Sequence, residues 1–292
     1  MAVKTVVIPP DAEGMKTGLF LRRVLPSLPE SVVRRVFSAR DVKLDGTRVS
    51  RDTPVHAGQT LSVYLPAASA GAESLRIVWE DEDILLVNKP AGISVEADEP
   101  GGLSLTDLCR LHAESVSGGS AFFVPAPCHR LDNRTSGLCL FAKNEHALAV
   151  LLEAFRQRTV EKYYTCLVRG VMKPPAAVCN AWLLKDADRA VVRILDHEVP
   201  GARPVVTGYE TLESGPVSRL RVHLITGRTH QIRAHLAALG HPVLGDDLYG
   251  DRAFNRLQKT RTLKLCATEL TLNTGGKLPA LDGHTFRITP PF

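Results

Sequence analysis

The sequence predicts an α+β protein built from a small basic N-terminal domain and a larger domain behind it. Three observations carry that expectation. The chain has 292 residues, 44% of them hydrophobic, which suits two domains or one large domain with an appendage. Strand-like apolar runs recur along its length, with a few capped amphipathic helices set among them. Charge is uneven: residues 1–65 hold ten Lys/Arg against six Asp/Glu and so carry +4 of the formal net charge of +5. A basic small domain on a near-neutral large one reads either as a polyanion-binding appendage or as a solvated surface with surplus arginine.

Residues 15–65 form the first unit. Ser27-Leu28-Pro29-Glu30 has the pattern of a capping box with Pro in the first turn, so a helix is expected from about Leu28 to Phe37. Val32, Val33 and Val36 fall on its core face, and Arg34, Arg35 and Arg40 on the exposed side. A shorter helix, about Leu19 to Leu25, precedes it. Val42-Lys43-Leu44 and Thr47-Arg48-Val49 flank Asp45-Gly46, a two-residue hairpin signal, and Ala57 to Val63 reads as a turn and a strand. Residues 66–74 have the composition of a linker.

The larger domain is expected over residues 75–292. Leu75 to Trp79 and Ile84 to Asn88 read as strands joined by an acidic turn, and Lys89-Pro90-Ala91-Gly92 closes the second. Ser104 caps a helix over about Leu105–Ser115, followed by a loop at residues 117–120. Asn144 caps another that runs to about Arg156, with Leu148, Leu151, Leu152 and Phe155 as one apolar stripe. Strands are expected at Tyr163 to Val168, residues 190–195, residues 203–213 and Val217 to Ile225. In the last, Leu220, Val222 and Leu224 alternate with Arg219, Arg221 and His223, giving a half-buried strand with a basic outer face. A helix from about His230 to Leu239 is stopped by Gly240, with Ile232, His235, Leu236 and Leu239 on its buried side. The tail reads as short strands.

Several function classes drop out. No apolar run approaches 18 residues, so no membrane span is expected. The first residues lack the pattern of a secretory signal. Six scattered cysteines without a C-x-x-C pair suit free, buried thiols in a reducing cytoplasm. Walker-type and G-x-G-x-x-G loops are absent, so no nucleotide cofactor is expected. His230 and His235 are five apart with no carboxylate at ligand spacing, so no metal is expected there.

Chemistry concentrates in two stretches. His129 to Lys143 reads H-R-L-D-N-R-T-S-G-L-C-L-F-A-K, a polar turn holding Asp132 that enters an apolar strand. Such a turn on a rigid strand suits a reactive group, although Asp-Asn is also an ordinary surface turn. The second stretch, Thr226 to Leu236, reads T-G-R-T-H-Q-I-R-A-H-L.

Asn88 to Gly92 ("N-K-P-A-G"), His129 to Gly137 with Phe141-Ala142-Lys143, and Thr226 to Asp246 occur in an order that resembles the RluA-type pseudouridine synthases. The resemblance implies an α+β catalytic domain with a large mixed, mainly antiparallel sheet flanked by helices. It implies Asp132 as the catalytic residue, Tyr164 as the active-site tyrosine (Tyr163 adjoins it) and Arg233 as the basic partner of Asp132. It also implies Arg130 as a residue that holds the RNA while the target uridine is flipped out. Arg228 joins Arg130 as a candidate phosphate contact. Residues 1–65, a basic helix followed by V-x-L-D-G-x-x-V, resemble the S-four-type RNA-binding domain, which points to Arg34, Arg35, Arg40, Lys43 and Arg48 as RNA contacts. Two departures from the family pattern are Arg134, where an acidic or small residue is commoner, and Cys266 within Leu265-Cys266-Ala267, where L-H-A is usual.

Those residue types fit the chemistry independently. Converting uridine to pseudouridine breaks a bond from ribose to ring nitrogen and makes one to ring carbon 5, without redox, metal or cofactor. One ionised carboxylate, held charged by an adjacent Arg, is a sufficient reactive group; the residues leave open whether it attacks ring carbon 6 or the ribose. The expected partner is RNA, large-subunit ribosomal RNA ahead of transfer RNA, with the chain acting as a monomer. Two competing readings are a non-catalytic RNA-binding or ribosome-assembly protein on the same fold, and a hydrolase using Ser136 with His129 or His230, which lacks a G-x-S-x-G elbow.

Overall fold

The computed structural model describes residues 2–25, 28, 30–65, 75–97, 104–116, 123–186 and 191–292. Two compact units divide the chain: Met1–Ile77 with Ile93–Ala126, and Val78–Gly92 with Pro127–Phe292.

The first unit contains strand β1 (Ala2–Val7), helices α1 (Thr17–Val24) and α2 (Glu30–Ser38), and strands β2 (Val42–Leu44), β3 (Thr47–Arg48) and β4 (Thr60–Leu65). Its sheet has the order β1-β4-β2-β3, antiparallel throughout. Asp45 and Gly46 both adopt positive φ, 48° and 82°, as a tight hairpin with the twist of its flanking strands requires. Phe20, Leu21, Val32, Val33, Val36 and Val63 are buried together and seal the helices to the sheet. Arg34, Arg35, Arg40 and Arg48 stay exposed, while Lys43 lies half-buried with its Nζ 4.9 Å over the Tyr64 ring. Ser27 and Pro29 of the capping box, the linker 66–74 and the loop 117–120 lie outside the described residues. Helix α3 (Leu105–Val116), grouped with this unit, is capped reciprocally: Ser104 Oγ accepts from Asp107 N, and the Asp107 carboxylate accepts from Ser104 N, each at 3.1 Å.

The second unit is a large mixed sheet. Its strands are β5 (Ile77–Glu80), β6 (Ile84–Lys89), β7 (Ala126–Pro127), β8 (Ser136–Ala142), β9 (Glu161–Arg169), β10 (Ala176–Asp186), β11 (Val191–Leu195), β12 (Arg203–Glu213), β13 (Val217–Leu224), β14 (Leu265–Leu272) and β15 (His284–Arg287). The path is β11-β10-β12-β13-β9-β14-β8-β6-β5, with β15 on β14 and β7 on β8. It is mainly antiparallel, and β14 runs parallel to β8. Every residue of β8 is buried, which explains its unbroken apolar run. Gly137 opens that strand at φ 115°, and a Cβ there would sit 2.3 Å from the Ala267 carbonyl oxygen, so only glycine lets β8 close on β14.

Helices α4 (Glu145–Gln157), α5 (Gln231–Ala238) and α6 (Arg252–Leu257) complete the unit. Asn144 caps α4 by accepting from Ala147 N at 2.8 Å. The buried face of α4 is Ala147, Val150, Leu151 and Ala154, rotated from the expected leucine stripe so that Leu152 is exposed. Leu239 likewise is exposed beyond the end of α5. Strands β1 and β10 and helix α6 were not legible as elements: β1 lies ahead of the expected first unit at 15–65, β10 buries only Leu183, and α6 spans fewer than two turns.

Candidate active site

Asp132 lies in the turn between β7 and β8, and every part of that turn is tied down. Thr135 N donates to the Asp132 carbonyl at 3.0 Å. The Asn133 carbonyl accepts from Gly92 N at 2.8 Å and from Lys89 Nζ at 3.0 Å. Lys89 is fully buried, so its ammonium is held by main-chain oxygens, Pro90's at 3.1 Å among them, in place of water. The N-K-P-A-G turn and the H-R-L-D turn are thereby one structure. Arg134 donates to the carbonyls of Gly245 (3.2 Å) and Arg261 (2.7 Å) and pairs with Asp247, which fastens the far side. This gives the departure at Arg134 a local purpose.

His129 is a strut for the same turn. Its Nε2 accepts from Leu140 N at 3.1 Å, and its ring stacks on Phe155 at 4.9 Å. Burial, with the charge of Lys162, lowers its pKa to about 4, so the imidazole is neutral and its acceptor nitrogen stays available. Ser136 is buried with its hydroxyl 3.5 Å from the Leu265 carbonyl, which suits turn-shaping.

The T-G-R-T-H-Q-I-R stretch supplies the opposing wall. Gln231 is buried and clamps it: its Oε1 accepts from Thr226 Oγ1 (2.9 Å) and Arg228 N (3.1 Å), and its Nε2 donates to the Val206 carbonyl (3.1 Å) and Thr207 Oγ1 (3.0 Å). His230 caps α5 with φ 55°, in the left-handed region. Arg233 is 4% exposed and bidentate to the fully buried Asp246, Nε–Oδ2 2.7 Å and Nη2–Oδ1 2.9 Å. Its remaining nitrogen, Nη1, is 3.5 Å from Asp132 Oδ2. Burial alone would raise the Asp246 pKa, but the Arg233 hydrogen bonds and charge, with amides of Leu248 and Tyr249, hold it below the usual carboxylate range. Arg233 is thus clamped by one carboxylate and presented to another.

Tyr164 is the tyrosine on the Asp132 side. It is buried on β9, and burial, followed by the nearby Asp132 charge, pushes its phenol pKa up, so the hydroxyl keeps its proton. Tyr163, one residue earlier, points through the other face of the sheet, between the His223 ring at 4.5 Å and the Arg221 guanidinium at 3.7 Å. The basic strand face of β13 is therefore occupied locally: Arg221 also reaches Glu269 at 3.1 Å, and Arg219 reaches Glu213 at 2.9 Å. Arg130 and Arg228 are exposed. His230 and His235 diverge, the first toward Asp132 and the second with Nδ1 2.9 Å from Thr207 Oγ1.

Residues 83–238 match the family model described as RNA pseudouridylate synthase. The chain belongs to that family. Ribosomal large subunit pseudouridine synthase C of Vibrio vulnificus (strain CMCP6) is 34% identical over 268 residues, covering 87% of this chain and 82% of the relative. The same-named protein of Escherichia coli (strain K12) is 33% identical over 271 residues with the same coverage. Among solved structures, human RNA pseudouridylate synthase domain containing 4 has a TM-score of 0.64 at 26% identity, covering 77% of this chain and 92% of that one. Human RNA pseudouridylate synthase domain containing 1 gives 0.58 at 29%, covering 76% and 92%. The protein is thus an RNA pseudouridine synthase of the RluA type, an isomerase.

Within the enzyme, Asp132, Tyr164 and Arg233 come together from three sequence-distant segments. The residues that hold them were less visible. Asp246 ended a motif without an assigned role, and its pairing with Arg233 emerges only because α5 and the loop after it fold back together. Tyr249 and Lys89 gave no signal beyond membership of short motifs.

Proposed function

We propose that this enzyme isomerises specific uridines of structured RNA, large-subunit ribosomal RNA before transfer RNA, with Asp132 as the reacting carboxylate. The observation that carries the reading is the Asp132–Arg233–Asp246 chain: a partly exposed carboxylate, 25% accessible, facing a buried guanidinium that a second carboxylate orients. The guanidinium orients a carboxylate that can serve as nucleophile or base. Asp132 opens the reaction, the ribose–nitrogen bond breaks, carbon 5 bonds to the ribose, and the carbon 5 proton leaves while the ring nitrogen regains one. Tyr164, kept protonated by its surroundings, offers a stacking face and a hydroxyl that takes up the carbon 5 proton only as it passes its own on. A stacked nucleotide cannot reach Asp132, so the uridine is flipped, at a cost on the order of a few kcal/mol.

Contacts to phosphate by Arg130 and Arg228, and by residues 1–65 acting as an S-four-type RNA-binding domain, offset that cost. Exposed Arg34, Arg35, Arg40 and Arg48 with half-buried Lys43 support that role. Preference for large-subunit ribosomal RNA is supported by the names of the relatives, whose similarity extends over 87% of this chain. The test is tritium release from RNA labelled at uracil carbon 5. Unmodified large-subunit ribosomal RNA should release label at defined positions, and transfer RNA should release little. Release from transfer RNA alone would overturn the substrate assignment, and release from neither would overturn the reaction.

A further inference from the structure

We infer that His230 is a positioning residue for Asp132, presented as its Nε2–H tautomer by a proton from Tyr249. The inference rests on the reading that Asp132 is the reacting carboxylate. Val192 N donates to the Tyr249 hydroxyl oxygen at 2.9 Å, which leaves the phenol its own proton to give. His230 Nδ1 lies 2.9 Å from that oxygen and in the inferred tautomer is the acceptor. A neutral imidazole carries one N–H, so it falls on Nε2, and Nε2 is 3.9 Å from Asp132 Oδ2. The opposite tautomer would turn a lone pair toward the carboxylate.

The separation exceeds hydrogen-bond length by about 1 Å, and catalytic hydrogen bonds are often long before substrate binds. The backbone supports a dedicated role. His230 sits at φ 55°, a conformation that costs an L residue on the order of 1–2 kcal/mol and directs the ring at Asp132. Tyr249 also packs edge-on to the His230 ring at 5.6 Å and lies 5.3 Å from the Arg233 guanidinium, so one side chain braces both groups that face Asp132. Burial holds the Tyr249 phenol pKa up and the His230 pKa down, which keeps donor and acceptor in the stated forms near neutral pH.

The experiment uses the full chain with ¹⁵N-labelled histidine and tritium release from RNA labelled at uracil carbon 5. The wild type should show His230 as a single Nε2–H tautomer, and Tyr249→Phe a mixture. Tyr249→Phe and His230→Ala should lower kcat about 10- to 100-fold with KM for RNA within about twofold, the scale on which misplaced tautomers and lost orienting partners act. His230→Gln, whose amide N–H falls near the Nε2 position, should recover most of the loss. A wild-type Nδ1–H tautomer, an undiminished kcat in His230→Ala, or a His230→Gln no better than His230→Ala overturns the inference. Asp132→Asn separates the two readings: if it is inert while His230→Ala is fully active, only the role of His230 fails. If it stays active, both fail.

Discussion

Around Asp132, each charge meets another within a few ångströms and is largely withheld from water, whereas Arg34, Arg35, Arg40 and Arg48 of the N-terminal unit stand exposed. Buried charges are expensive unless each is paired and hydrogen-bonded, so in the first region every partner is needed and removing one strands the others. Exposed cations cost little to keep, act over a Debye length, and are interchangeable. The two regions rest on opposite electrostatic terms, so under the proposed function they should break in different ways.

The largest effect is expected at Asp246. Asp246→Asn leaves the buried Arg233 guanidinium without its bidentate counter-charge, with only Asp132 at 3.5 Å remaining, which should cost about 3–5 kcal/mol of stability and lower Tm accordingly. A Tm within a degree of wild type would mean Arg233 is not tied as the distances indicate. Because the Asp246 pKa is depressed in the fold, its stabilisation is complete above the unfolded carboxylate value near 4 and is lost as pH falls through the folded value. The variant should therefore lose part of the acid sensitivity.

Gly245→Ala comes next. Gly245 adopts φ 79°, and a Cβ would sit 2.0 Å from the Thr262 carbonyl oxygen, so the loop that carries Asp246 must shift. A loss of roughly 2–4 kcal/mol, or insolubility, is expected, read by chemical denaturation.

His129 gives a pH signature for the same region. Its folded pKa is about 4 against about 6.5 unfolded, so the unfolded chain binds the proton first as pH drops. Stability should fall by about 1–3 kcal/mol between pH 6.5 and 4, and His129→Gln should flatten that slope.

The N-terminal unit should respond gradually. Changing Arg34, Arg35, Arg40 and Arg48 together to Gln in the full chain should weaken RNA binding, with kcat at saturating RNA unchanged. The slope of log affinity against log salt should shrink by about 0.7–0.9 for each phosphate no longer neutralised. Arg34→Gln alone should be the mildest change, less than one unit of slope. A single substitution that abolished binding would contradict the contrast, because it would make one cation indispensable.

The two regions also differ in how far the sequence reveals them. Asp132, Tyr164 and Arg233 were singled out through the family resemblance that three short motifs carry, and the α+β class was visible in capped helices and alternating strands such as β13. Asp246 and Tyr249 were not, because pairing between a helix and the loop that follows it depends on packing that no local period encodes. Strand β10 buries only Leu183, and the buried face of α4 includes the small Ala147 and Ala154 beside Val150 and Leu151, which leaves the leucine stripe a poor guide to it. On the N-terminal unit the excess charge was plain, while which side chain meets RNA is not encoded by charge alone.

The central claim is that the chemistry passes through one carboxylate held by Arg233. It is tested most directly by tritium release from uracil carbon 5 by Asp132→Asn, a substitution of nearly equal volume, measured beside its RNA affinity. A fall of at least roughly 10³-fold in release, with RNA affinity within about twofold of wild type, is predicted for loss of the reacting group. Release at the wild-type rate would contradict it.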